Sequence, residues 1–204
     1  MRTSVKFLIR IHILRLPEGT PFTTRDVVAY GNRPAVDQAL SRFVKDGFIR
    51  RLARGIFVRD PGNRASFSFW DIADLKSGSF GRKLAKHAVT TFKELFENDY
   101  CKQPTIFSIN GSTSRFKTGE TIIHLKETSQ RKAALSQTLI GQRMKALWAA
   151  GRNNVTDAMV RQALQFHRGS VARNWLRANF GLLPAWLTDL YHRVDPTFRF
   201  LKAC

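Results

Sequence analysis

The chain has 204 residues, 43% hydrophobic and 24% charged, a length and balance that build real cores and exclude a wholly disordered tail. Its 34 Lys and Arg against 15 Asp and Glu leave a formal charge of +19. That much self-repulsion exceeds what solubility requires and points to a polyanionic partner.

The charge is spread along the chain. Residues 1–60 hold 12 Lys/Arg and 5 Asp/Glu, and residues 61–204 hold 22 and 10. Charge alone suits DNA, RNA, an acidic protein or a membrane surface equally. Cys101 and Cys204 are distant in sequence and match no zinc-ligand spacing, so free thiols in a reducing cytoplasm are expected.

In chain order, Val5–Leu16 is apolar but interrupted by Lys6, Arg10, His12 and Arg15. It is too short and too charged to span a membrane and reads as a first helix ended by Pro17 and Gly19. Thr24–Tyr30 is a second, short helix capped by Thr23 or Thr24, with Asp26 in its first turn. Gly31-Asn32-Arg33 is a tight turn. Pro34–Asp46 is a third helix, with Pro34 at its start and Gly47 just beyond its end. Two short helices joined by a Gly-containing turn are the helix-turn-helix pattern.

The third helix is two-faced. Val36, Leu40, Phe43 and Val44 recur at helical spacing and pack inward. Gln38, Arg42 and Lys45 form an outward stripe, of types that suit a major groove: Arg reaches guanine O6 and N7 together, and Gln pairs with adenine. After Gly47 the period changes to β. Phe48–Leu52 and Ile56–Arg59 flank the turn Ala53-Arg54-Gly55, a wing with Arg54 at its tip and Arg50, Arg51 and Arg59 on its strands. Such a tip contacts backbone phosphate or enters the minor groove. The candidate DNA-binding residues are Thr24, Arg25, Arg33, Gln38, Arg42, Lys45, Arg50, Arg51 and Arg54.

Beyond a turn-rich link at Asp60–Asn63, residues 66–70 alternate as a short strand and Phe80–Phe96 keeps a helical period. Pro104–Ile109 reads as a buried strand and Ser114–Leu125 as a hairpin turning at Thr118-Gly119. Helices are expected at Ser129–Ala150, Thr156–His167, Ser170–Ala178 and Pro184–Val194, with Thr156 and Ser170 as caps. Between Arg143 and Arg177 seven Lys/Arg face one acid, Asp157. A solvated helical surface is the default reading, with Arg161, Arg168 and Arg173 available to share a face toward an acidic partner or flanking DNA.

The order of these segments resembles the AbiEi-type antitoxins, transcriptional regulators of bacterial type IV toxin–antitoxin systems. The likeness rests on Leu40-Ser-Arg-Phe-Val-Lys-Asp-Gly-Phe-Ile49, Arg54-Gly-Ile-Phe-Val58, Gly111-Ser-Thr-Ser-Arg-Phe-Lys-Thr-Gly119, Ile122-Ile-His-Leu-Lys126 and Pro184-Ala-Trp-Leu187. It runs from about residue 8 to 194 and is weakest between 61 and 103. The resemblance implies a repressor of its own operon that binds inverted repeats in double-stranded DNA, and a C-terminal domain opposing a nucleotidyltransferase-type toxin. It carries DNA contacts onto Gln38, Arg42, Lys45 and Arg54.

The expectation is therefore an α+β protein: a winged helix-turn-helix over residues 1–60, then a mixed α/β domain over 61–204 ending in helices. No enzymatic role, cofactor, metal or membrane partner is expected, and the oligomeric state is open. Three rivals are weaker. A metal-dependent nuclease needs clustered carboxylates, and Asp71, Asp74 and Lys76 give only a fragment at a helix start, where either acid reads as a cap. An RNA-binding protein needs an exposed stacking platform, whereas the 16 Phe residues follow core periodicity. The third rival uses the winged helix only as a protein-binding scaffold. The five His residues are scattered and no nucleophile–His pattern occurs.

Overall fold

The computed structural model describes residues 4–100, 103–165 and 169–195. Cys101, Cys204, Arg168 and the end of the helix predicted over Thr156–His167 lie outside the described residues. The fold is α+β. The chain divides into two compact units, and the division is not at residue 60. One unit is Met1–Leu84 with Thr113–Leu125; the other is Ala85–Ser112 with Lys126–Cys204.

The first unit opens with α1 (Val5–Arg15), capped by the Ser4 hydroxyl, which accepts from the Phe7 N–H. Then come β1 (Pro21–Thr23), α2 (Thr24–Val27) with a 3-10 turn at Val28–Tyr30, and α3 (Arg33–Lys45). Thr23 and Asp26 form the capping box of α2, which settles the alternative between Thr23 and Thr24. Asn32 caps α3 by accepting from the Ala35 N–H, and Pro34 sits within its first two positions, where a missing N–H costs nothing. β2 (Arg50–Ala53) and β3 (Ile56–Val58) follow as an antiparallel pair.

Sequence pattern missed the third strand. β1 pairs antiparallel with β3 in the order β1-β3-β2, aligning Phe22 with Phe57. Three residues opening on Pro21 carry too little periodicity to be read, and Pro tolerates a strand only at its first residue or an edge. Ile9, Ile13, Val36, Leu40, Phe43, Phe22 and Phe57 join helices and sheet in one buried cluster.

Residues 66–70 are not a strand. Ser68 and Asp71 cap α4 (Phe69–Gly78) with a second capping box, and the local N-cap chemistry overrides the alternation. α4 packs on β1 and β3, burying Ile72 and Ala73. The hairpin β6 (Ser114–Thr118) and β7 (Thr121–Glu127) pairs Ser114 with Leu125 through Thr118 with Thr121, so its tip is Gly119-Glu120. The buried Thr118 hydroxyl donates 2.8 Å to the Leu52 carbonyl, at the residue skipped in the β2–β3 register.

The predicted helix over Phe80–Phe96, which begins in the first unit and ends in the second, is replaced. A short strand, β4 (Leu84–Lys86), precedes α5 (Ala88–Phe92), which continues as a π turn through Glu97. β5 is Ile106–Ile109. The predicted helix Ser129–Ala150 breaks into α6 (Gln130–Leu135) and α7 (Leu139–Ala150), each with its own cap, Ser129 and Thr138. The break lets α7 fold back closely: a Cβ on Gly141 would lie 2.0 Å from the Leu135 carbonyl oxygen.

α8 (Asp157–Gln165), α9 (Gly169–Asn179) and α10 (Ala185–Val194) complete the unit. Thr156 caps α8, accepting from the Met159 N–H. Gly169 already opens α9, so Ser170 lies inside that helix. Leu135, Met144, Leu147, Val160, Leu176, Leu187 and Tyr191 form the core.

Two of the predicted surface cations are not on the surface. Arg143 and Lys145 of α7 are buried, whereas Arg161 and Arg173 are exposed. No helix among the described residues is long and apolar enough to cross a membrane.

Candidate nucleic-acid interface

α3 buries Val36, Ala39, Leu40 and Phe43 and exposes Arg33, Asp37, Gln38, Ser41, Arg42 and Lys45. At 3.6 residues per turn, Arg33, Asp37 and Ser41 lie about a third of a turn from the Gln38–Arg42–Lys45 stripe. The exposed surface therefore covers about half the helix circumference.

The first of these stripes forms one wall of a cleft of about 370 Å³ within the first unit. Arg25 of α2, Arg51 and Arg54 of the hairpin, and Lys76 and Phe80 in and just after α4 form the others. Five cations line this space against one carboxylate, Asp37, which Arg33 already engages through Nε at 2.9 Å. Arg25, Arg51 and Arg54 form no ion pair among the described residues. Burial, then the charges of Arg54 and Arg33, push the Lys76 ammonium below its usual value, so these groups share one unneutralised field.

The hairpin tip is pinned from two sides. Gly55 holds φ +81°, a conformation open to glycine without strain. Its carbonyl accepts from the Thr24 N–H at 3.0 Å, and the Arg54 carbonyl accepts from Lys76 Nζ. With its backbone fixed, the Arg54 side chain is exposed at the cleft. Arg25 stacks over the Phe80 ring at 4.3 Å from its centroid, and Arg51 lies 5.4 Å over Phe57.

The structure thus brings Arg25, Arg33, Arg51 and Arg54 together. Gln38, Arg42 and Lys45 are exposed, as expected, but on the neighbouring face of α3 and outside the cleft. Two candidates need correction. Thr24 lines the cleft but is only 5% exposed, and its backbone N–H is given to the Gly55 carbonyl, so it helps hold the hairpin tip and leaves little surface open to a duplex.

Arg50 alternates to the opposite side of β2 from Arg51. There its guanidinium meets Asp60 at 3.4 Å and the Ala65 carbonyl at 2.8 Å, tying down the link after β3. Asp60 itself is held below its usual pKa, first by the Ala65 N–H, with further help from Arg64 and Arg50. Arg59 is likewise engaged, with Glu18 at 3.0 Å.

Sequence reasoning missed Lys76 and Phe80. Lys76 stood out only beside Asp71 and Asp74, yet Asp71 is consumed as a cap, accepting from the Ser68 N–H and hydroxyl. Phe80 read as the first apolar position of a helix. The available signal was an aromatic set among Lys76, Arg82 and Lys83 directly after Gly78. Among the described residues no cluster of His, Cys, Asp or Glu could hold a metal ion. Comparison with family models, curated proteins and solved structures gives no match.

Proposed function

We propose that the chain is a sequence-specific regulator that binds double-stranded DNA in the cytoplasm. In this reading residues 1–60 are a winged helix-turn-helix, α3 the recognition helix and the β2–β3 hairpin the wing. One observation carries the proposal: the exposed polar face of α3 runs without interruption into a cleft where Arg25, Arg33, Arg51, Arg54 and Lys76 converge. A helix of this width fits a major groove, and a cationic wall beside it fits the phosphates that border the groove. Gln38, Arg42 and Lys45 are assigned to base edges; Arg33 and Arg54 are assigned to the backbone.

The resemblance to AbiEi-type antitoxins extends this to autoregulation at inverted repeats, with the remainder of the chain directed at a nucleotidyltransferase-type toxin. Neither role calls for catalysis by this chain.

Selection of preferred duplexes from a random pool, followed by titration of the purified protein, tests the reading. Ala at Gln38 or Arg42 is expected to cost on the order of 1–3 kcal/mol on the preferred duplex and to relax selection at one base pair. Equal affinity of the wild type for selected and random duplexes would end it.

A further inference from the structure

We propose that the cleft is a built seat for a backbone phosphate of the bound duplex, and that Lys76 and Phe80, outside the helix-turn-helix and hairpin, are its positioning residues. The proposal rests on the DNA-binding reading above and deepens it. Four arginines and a lysine brought to one small space, with their single acid already engaged, repel one another. An anion removes that repulsion, and planar guanidiniums match the oxygens of a phosphodiester.

Two features make the site built rather than incidental. Lys76 Nζ bonds the Arg54 carbonyl, fixing the tip that carries the Arg54 guanidinium. Phe80, although 49% exposed, is no loose apolar residue: Arg25 stacks on it, with Lys76 and Arg82 within 6.0 Å of the ring centroid. The ring presents the Arg25 fork toward the cleft with less freedom to lose on binding. A duplex backbone is favoured over a free nucleotide because the cleft is continuous with the exposed face of α3, which a mononucleotide does not use.

The test uses the full chain, the duplex selected above, random duplexes, and ATP and inorganic pyrophosphate as competitors. Phe80→Ala and Lys76→Met are each expected to weaken selected and random duplexes alike, by about tenfold, leaving the preference between them unchanged. Phe80→Tyr, which keeps the ring, is expected to bind like wild type. Arg25→Ala is expected to lose little more when added to Phe80→Ala, since the two act as one group. Unchanged thermal unfolding of Phe80→Ala separates positioning from folding.

Wild-type affinity in both Phe80→Ala and Lys76→Met would overturn the inference and leave the α3 reading intact. Displacement of the duplex by ATP or pyrophosphate at micromolar concentration would overturn the backbone assignment in favour of a mononucleotide. Failure of the wild type to bind any duplex would remove both this inference and the reading beneath it.

Discussion

Arg54 and Lys145 show how the same chemistry, a cation on a long stem, is put to opposite uses in the two units. Arg54 is exposed on a fixed tip and free to meet an anion. Arg54→Ala is expected to weaken all duplexes about equally and to lower the salt slope of binding by about 1, measured by titration across a salt series. A loss confined to one sequence would contradict a phosphate role. Lys145 is buried and enclosed by the Lys86 carbonyl at 3.3 Å and the hydroxyls of Ser108 and Ser136 at 3.2 and 2.8 Å.

Burial first, then the charge of Lys132, lowers the Lys145 ammonium from the usual 10.5 to about 8. Between those values the unfolded chain binds more protons than the folded one, so stability rises with pH from about 8 to 10.5, and below 8 the penalty is fully present. Lys145→Met is expected to abolish that rise, on the order of 1–3 kcal/mol, when urea denaturation is repeated across this range. A mutant whose stability climbs with pH as steeply as the wild type's would refute the assignment.

At the scale of elements, the fold turns on where helices stop. α6 and α7 carry apolar residues at a period that reads as one helix, yet they part at Ser136-Gln137 and restart on the Thr138 cap, whose hydroxyl accepts from the Gly141 N–H at 3.1 Å. The sharp return presses Gly141 against the Leu135 backbone, which cannot yield as a flexible side chain could. Gly141→Ala is expected to destabilise the protein by about 3 kcal/mol or more, read as a lowered Tm by circular dichroism. A Tm within about two degrees of wild type would mean that the two helices have room to move apart.

At the scale of the molecule, the chain leaves its first unit and returns to it. The β6–β7 hairpin caps the Leu52 carbonyl through Thr118, 66 residues further along the chain, and α4 covers β1 and β3. A fragment of residues 1–60 lacks both. It is expected to be less stable than the intact chain by on the order of 3–5 kcal/mol, checked by denaturant unfolding and protease sensitivity. If it unfolded at the same denaturant concentration, helices and hairpin alone would be self-sufficient and the boundary predicted at residue 60 would stand as a folding boundary.

What local residue order determined was set by short-range physics. Pro17, Pro34, Gly47 and the alternation around Arg54-Gly55 located α1, α3 and the hairpin because helix-end prolines, turn glycines and periodicity act over a few residues. The excess of cations was equally legible, and so was the outward stripe of Gln38, Arg42 and Lys45. Tertiary structure decided the rest: Arg50 turned away to Asp60 while Arg51 faced the cleft, Thr24 went inside, and Lys76 and Phe80 entered the site from stretches that read as a helix start and the first apolar position of a core helix.

Arg143 and Lys145 were buried only because acceptors from distant segments met them, the Ala163 carbonyl for one and Lys86, Ser108 and Ser136 for the other. A charge can leave water only where such partners converge, and that convergence is a property of packing, absent from any window of neighbouring residues.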